Sequence, residues 1–157
     1  DPIKLSKNIF YNMNFPKGRG DISKIRFKNK NINLVDESYN SNPLSLKSAI
    51  ENFNLINTKN KKYMILGDML ELGKHSKSLH QKIAPIINST SINKVHILGN
   101  HIKETYKNVS SSKKGFILKE SSQIIDLIQN ELNNNDYLMI KGSNSTGLNK
   151  FAKELKK

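Results

Sequence analysis

The residues of this chain that can do chemistry gather in four short stretches. Lys17-Gly18-Arg19-Gly20-Asp21 holds an arginine between two glycines. Asp36-Glu37-Ser38-Tyr39-Asn40-Ser41-Asn42-Pro43 packs acids, hydroxyls, amides and an aromatic ring into one run. Gly67-Asp68-Met69-Leu70-Glu71-Leu72-Gly73 carries two carboxylates, and Lys141-Gly142-Ser143-Asn144-Ser145 sets a lysine beside hydroxyls and amides. Arg19 on a pliable turn can reach a phosphate with its planar fork. Asp36 or Glu37 can accept hydrogen bonds from ribose hydroxyls, and Tyr39 offers a flat face to a base or a neighbouring domain. Asn40 and Asn42 donate and accept at once, as an amide-bearing ligand requires, and Asn42 is equally a good helix N-cap. Lys141 can hold a carboxylate or phosphate, and Ser143 can hydrogen-bond a substrate. Asp68 and Glu71 read either as paired carboxylates or as caps of the next turn. His80 falls on a helical stretch with no partner in sequence, where a histidine is more often structural than catalytic.

Several chemistries are excluded by what is missing. There is no cysteine, hence no disulfide and no thiolate metal site, a composition that suits the cytoplasm. No H-E-x-x-H spacing exists, so no metal is assigned. No G-x-G-x-x-G follows a strand and no G-x-x-x-x-G-K-[ST] occurs, so the chain lacks the usual grip on a dinucleotide or on a triphosphate with its magnesium. No Ser-His-Asp order or nucleophile elbow is present.

The elements that must position these groups follow from hydrophobic period. Ile22–Lys28 and Asn31–Val35 alternate as two strands turned at Asn29-Lys30, an antiparallel hairpin. Helix Pro43–Ile56 follows, with Asn42 as N-cap and Pro43 at the first helical position. Then come strand Lys62–Gly67, helix Ser76–Ile87, strand Lys94–Gly99, a short helix at Ile102–Tyr106 and strand Gly115–Leu118. Helix Ser121–Leu132 (capped by Ser121 or Ser122), strand Tyr137–Gly142 and helix Thr146–Leu155 complete the chain. Strands alternating with helices mean an α/β fold: a Rossmann-like, mainly parallel sheet with helices on both faces and an N-terminal antiparallel hairpin. In such a sheet ligands sit outside the carboxyl ends of the strands, where three of the four stretches fall. Residues 1–16 read as a short amphipathic helix, the tail of an upstream unit, and 17–157 as one domain.

At 157 residues the chain is long enough for a real core. Its formal net charge of +13 comes from lysines scattered singly or in pairs, with no glycine-aromatic strand motif. A solvated basic surface is the better reading than a nucleic-acid partner. No apolar run approaches the roughly 18 residues needed to span a membrane.

The run Asp36–Pro43, extended through Leu44-Ser45-Leu46-Lys47-Ser48-Ala49, resembles a loop motif of the Mur ligases. Within them it is most similar to the type that adds D-alanyl-D-alanine to the peptidoglycan precursor. Gly67–Gly73, with Leu79-His80 following, resembles a second motif of that family, and Lys141-Gly142-Ser143 a third. The resemblance covers the chain from about Gly18 onward. It departs from the pattern where relatives carry an arginine shortly after Ser143; here Asn144, Ser145 and Thr146 stand instead. It also departs at Glu37, where many relatives have aspartate.

The resemblance implies the C-terminal domain of a three-domain enzyme whose central domain holds ATP and Mg2+. That enzyme would phosphorylate the carboxylate of UDP-N-acetylmuramoyl-tripeptide and let the amine of D-Ala-D-Ala displace phosphate. It further implies nucleotide contacts from Arg19, Asp36 or Glu37, and Tyr39, and substrate contacts from Asn40, Asn42, Lys141 and Ser143. Two other readings stand beside it: a related ligase domain, such as that of a folylpolyglutamate synthetase or another Mur enzyme, and a non-catalytic basic α/β module that binds nucleotide or nucleic acid. Because the phosphate loop is missing, the purified 157-residue chain should bind nucleotide weakly and neither hydrolyse ATP nor ligate. Phosphate release above background from that chain overturns this expectation.

Overall fold

A computed structural model describes residues 20–157; the expected helix within 1–16 and Arg19 lie outside them. The strands are β1 (Asp21–Phe27), β2 (Lys30–Asp36), β3 (Lys62–Gly67), β4 (Lys94–Leu98), β5 (Lys114–Leu118) and β6 (Tyr137–Lys141). The helices are α1 (Pro43–Asn54), α2 (Ser76–Gln81), α3 (Ile83–Asn88), α4 (Lys103–Asn108), α5 (Gln123–Glu131) and α6 (Leu148–Leu155). The sheet order is β1-β2-β6-β3-β4-β5, with β1 antiparallel to β2 and every other pair parallel. The mixed α/β architecture with a leading hairpin is the one expected from the sequence.

Period-two alternation sorts the strand residues between two cores. Val35, Met139, Met64 and Val95 form one row across neighbouring strands. They pack with Leu46, Ile50 and Phe53 of α1 and Ile83 and Ile87 of α3. The residues between them, Leu34, Leu138, Tyr63 and Ile65, turn to the other face against Ile124 and Ile128 of α5 and Phe151 of α6. A slip of one residue would reverse both faces, so burial itself holds the register. Among the described residues no helix is long and apolar enough to cross a membrane.

Local chemistry moves several boundaries from where periodicity puts them. The hairpin turns at Lys28-Asn29, with Phe27 opposite Lys30 and Lys28 at φ 53°, one residue earlier than expected. The single helix expected over Ser76–Ile87 is broken at Lys82 into α2 and α3. Pro85 has no N–H, and its ring opposes the carbonyl of Gln81 four residues back. No serine side chain caps α5. Ser122 Oγ donates to Glu120 at 2.7 Å, and the Gln123 amide oxygen takes the N–H of Lys119, so the helix starts at Gln123. The last helix starts at Leu148, because Gly147 at φ 80° ends a preceding 3-10 turn in a conformation only glycine adopts without strain.

Three lysines serve the amino-terminal edge of the parallel sheet. Lys30 donates to the carbonyls of Ile128, Gln129 and Leu132 at the end of α5, and Lys62 to Asn54 at the end of α1. Lys113 reaches the carbonyls of Thr90 and Ile92 just beyond α3. Helix carboxyl ends carry orphan carbonyls and partial negative charge, which an ammonium satisfies.

His96 lies in the sheet between Tyr63 and Phe116, ring centroids 6.2 and 5.6 Å away, and accepts the Phe116 N–H at 2.9 Å through Nδ1. Its Nε2 is buried and has no partner. Burial, with Lys94 nearby, pushes its pKa down to about 4. The unfolded imidazole begins to take a proton near pH 6.5, while the folded one stays neutral to about 4. Stability is therefore full above pH 6.5 and falls progressively toward pH 4, by at most about 3 kcal/mol from this group. Urea unfolding of the domain at stepped pH should show that decline, and His96→Gln should flatten it.

Candidate functional site

Helices α1, α3 and α4 pack on one face of the sheet and α5 and α6 on the other. The chain leaves β2 and β3 toward the first face and leaves β6, which lies between them, toward the second. Such a reversal opens a crevice at the carboxyl ends of the strands. Three of the four chemical stretches meet there: the β2–α1 loop, the β3–α2 loop and the β6–α6 loop. Of the fourth, Gly20 is described. It donates its N–H to the Asp36 carbonyl at 2.8 Å, and a Cβ on it would meet Glu37 Oε1 at 2.8 Å. The chain therefore enters the sheet against the acidic loop.

The geometry divides the candidate residues into a frame and an outward-facing set. Asp36 is 1% exposed. One of its oxygens accepts the N–H and O–H of Ser38, and the other takes Lys156 Nζ at 2.7 Å. Lys141, also buried, donates to the carbonyls of Asn40 at 2.7 Å and Glu37 at 3.4 Å. Ser143 fastens all three loops. Its hydroxyl donates to the Ser41 carbonyl at 3.3 Å and accepts the Leu70 N–H at 2.8 Å, and its own N–H meets the Asp68 carbonyl at 3.0 Å. Asn42 caps α1 in a reciprocal box with Ser45, each side chain taking the other's N–H. Such a cap contributes about 1 kcal/mol.

Asp68 caps the β4–α4 connection rather than its own turn, accepting the N–H groups of Asn100 at 3.2 Å and Ile102 at 2.8 Å. Gly99, at φ 143°, leaves room for that carboxylate where any side chain would collide with it. His80 is fully buried. Its Nδ1 lies 2.8 Å from the Ser76 carbonyl and its Nε2 accepts the Met69 N–H at 3.1 Å, the pattern of a neutral ring protonated on Nδ1. Burial lowers its pKa. It holds the β3–α2 loop in place and leaves no ring nitrogen for a substrate.

Facing outward are half-buried Glu37 and exposed Tyr39, Asn40 and Glu71. Asn40 and Glu71, with Asn144 and Ser145, line a cleft of about 300 Å3 whose wall includes Ser143. Glu71 sits at φ 61°, a backbone conformation seldom held by a side-chain-bearing residue outside tight turns and functional loops. A second, larger opening of about 620 Å3 lies beyond Leu70, toward Asn100, Lys103, Lys119 and Thr146. The loop holding Asn100 follows a strand and a glycine, as the β3–α2 and β6–α6 loops do, so the strand-end rule could have marked it. Ser41 and Lys156 carry no local signal; their importance comes from contacts distant in sequence.

Ser143→Ala would orphan the Leu70 N–H and release the Ser41 carbonyl. An unmade buried hydrogen bond costs about 1–3 kcal/mol, so the variant should unfold at lower urea, and amide exchange at Leu70 should accelerate. Unchanged exchange there would show that the loops do not depend on this hydroxyl.

Residues 23–144 match the model of the family described as "Mur ligase, glutamate ligase domain". Among curated proteins, the UDP-N-acetylmuramoyl-tripeptide–D-alanyl-D-alanine ligase of Rickettsia prowazekii is 30% identical over 150 residues, 96% of this chain and 32% of that enzyme. The enzyme of the same name from Buchnera aphidicola of Acyrthosiphon pisum is 33% identical over 125 residues, 78% of this chain and 26% of that one. The chain thus spans about a third or less of the length of these relatives. Its fold is shared with a MurF ligase from Thermotoga maritima in complex with ADP (TM-score 0.71, 22% identity, 92% of this chain and 32% of that one). It is shared also with MurF from Acinetobacter baumannii (TM-score 0.72, 21% identity, 90% and 30%). The loop built on Asp36–Pro43, the crevice it borders and the family match agree: this chain belongs to the Mur ligase family, as its C-terminal, glutamate ligase domain.

Proposed function

We propose that this domain works within an ATP-dependent ligase that joins D-Ala-D-Ala to UDP-N-acetylmuramoyl-tripeptide in the cytoplasm, with residues 1–16 the end of a central domain and 17–157 the closing domain. The observation that carries this reading is the sorting of the Asp36–Pro43 loop. Asp36, Ser38, Ser41 and Asn42 make internal bonds or are buried, and they present Glu37, Tyr39 and Asn40 at the switch-point crevice beside the chain's entry at Gly20. In this reading Glu37 meets the ribose, Tyr39 the base or the central domain, and Arg19, one residue from Gly20, the phosphates. Asp36 frames the loop, since both its oxygens have internal partners.

Lys141 and Ser143 act in the same way as framing groups. Contact with the acceptor dipeptide passes to the cleft they support, to Asn40, Glu71, Asn144 and Ser145.

Magnesium does not fit here. Among the described residues no group of three or more metal-ligating side chains exists, and both Asp68 oxygens hold N–H groups. The ion and the phosphate grip are assigned to the central domain. This domain's contribution is then closure: it positions the acceptor amine over the acyl phosphate and keeps water away from it. The amine nitrogen bonds to the acyl carbon, the carbon–oxygen bond to phosphate breaks, and the amine proton is lost to the surroundings.

The intact enzyme tests this directly. With the tripeptide carboxylate labelled with 18O, ligation through an acyl phosphate moves one label into inorganic phosphate for each amide formed. Product should appear with D-Ala-D-Ala and not with glutamate as acceptor. Glutamate ligation, or phosphate released without label, overturns the proposal.

A further inference from the structure

The end of α6 reaches across the sheet to the point where the chain enters it. Lys156 Nζ lies 2.7 Å from Asp21 Oδ2 and 2.7 Å from Asp36 Oδ2. These aspartates are direct partners in the antiparallel β1–β2 register. Like charges facing each other across a strand pair are unfavourable, and the ammonium between them offsets that repulsion. Asp36 is almost fully buried and Asp21 is 42% exposed, so one carboxylate needs its cation more than the other. Burial works against the charge on Lys156, but the two carboxylates outweigh it and hold its pKa above the ordinary lysine value.

Each arm of this bridge leads to a group of the proposed nucleotide contact. Asp36 uses its other oxygen to bind the N–H and O–H of Ser38, which shapes the loop that carries Glu37 and Tyr39. Asp21 follows Gly20, where the Glu37 carboxylate fills the space that a side chain would need. We propose that Lys156 is a positioning residue for nucleotide: by tying Asp21 to Asp36 it fixes the entry strand in register with the Glu37–Tyr39 loop. The inference rests on the reading that this loop meets ATP when the domain closes. Lys156 touches no substrate and acts through Asp36 and the entry strand alone. Ser143 and Asn42 hold the opposite side of the loop without it, so its loss should not disturb the acceptor cleft.

The test uses the intact ligase with Lys156→Met, Lys156→Arg and Asp21→Asn. Arginine can bridge two carboxylates and methionine cannot. The Met variant should raise KM for ATP about tenfold, equivalent to about 1.4 kcal/mol, with KM for the dipeptide unchanged and kcat per folded enzyme within about twofold. Arginine should restore KM for ATP. Asp21→Asn weakens the exposed arm and should shift it in the same direction by a smaller factor, which keeps the test open if the Met variant does not fold. A purely structural lysine would lower the folded fraction and the melting temperature while KM for ATP stays put. That result, or equal rises in KM for both substrates, overturns the proposal. Absence of ligase activity in the unsubstituted enzyme would instead remove the functional reading on which it rests.

Discussion

The placement of β6 between β2 and β3 is the constraint on which this domain depends. β6 is the last strand in sequence, yet it hydrogen-bonds to a neighbour on either side and contributes Leu138, Met139 and Ile140 to both cores. Without it β2 and β3 would present unpaired edges to one another and the hairpin would be cut off from the rest of the sheet. The same insertion reverses the direction in which the chain leaves successive strands and so opens the crevice. Stability and site have one origin here.

A second consequence of that placement is how the loops are held. Lys141 and Ser143 stand at and just beyond the end of β6 and bind mainly backbone atoms of the loops on either side. Ties to backbone hold a loop's path without using its outer side chains. This accounts for a loop with many polar residues of which few face outward.

Charge follows the same logic. The lysine excess would suggest a polyanion partner if it were spread over one surface. Instead Lys30, Lys62 and Lys113 turn onto carbonyls at or just beyond helix carboxyl ends, Lys141 onto loop carbonyls, and Lys156 onto two aspartates. These ammonium groups do the work that small polar caps and bound water do elsewhere.

What the sequence determined by itself was everything carried by local period and local caps. The alternation in β2, the short apolar runs of β3, β4 and β6 and the Asn42-Pro43 start of α1 could be read directly. So could the α/β class and the gathering of polar loops at strand ends, because side chains two or four residues apart report which face is buried. The break at Lys82 was readable in principle from Pro85. The sorting of the loop residues into a buried frame and an outward-facing set was not. Asp36 and Glu37 are neighbours of like chemistry, and only the fold brings Lys156 to one and Gly20 to the other. Nor could sequence show that Asp68 would cap a loop 32 to 34 residues away or that His80 would hold Met69. Those roles depend on contacts between segments distant in sequence. The order of the strands sets them, and strand order is decided by how the whole sheet buries its two faces.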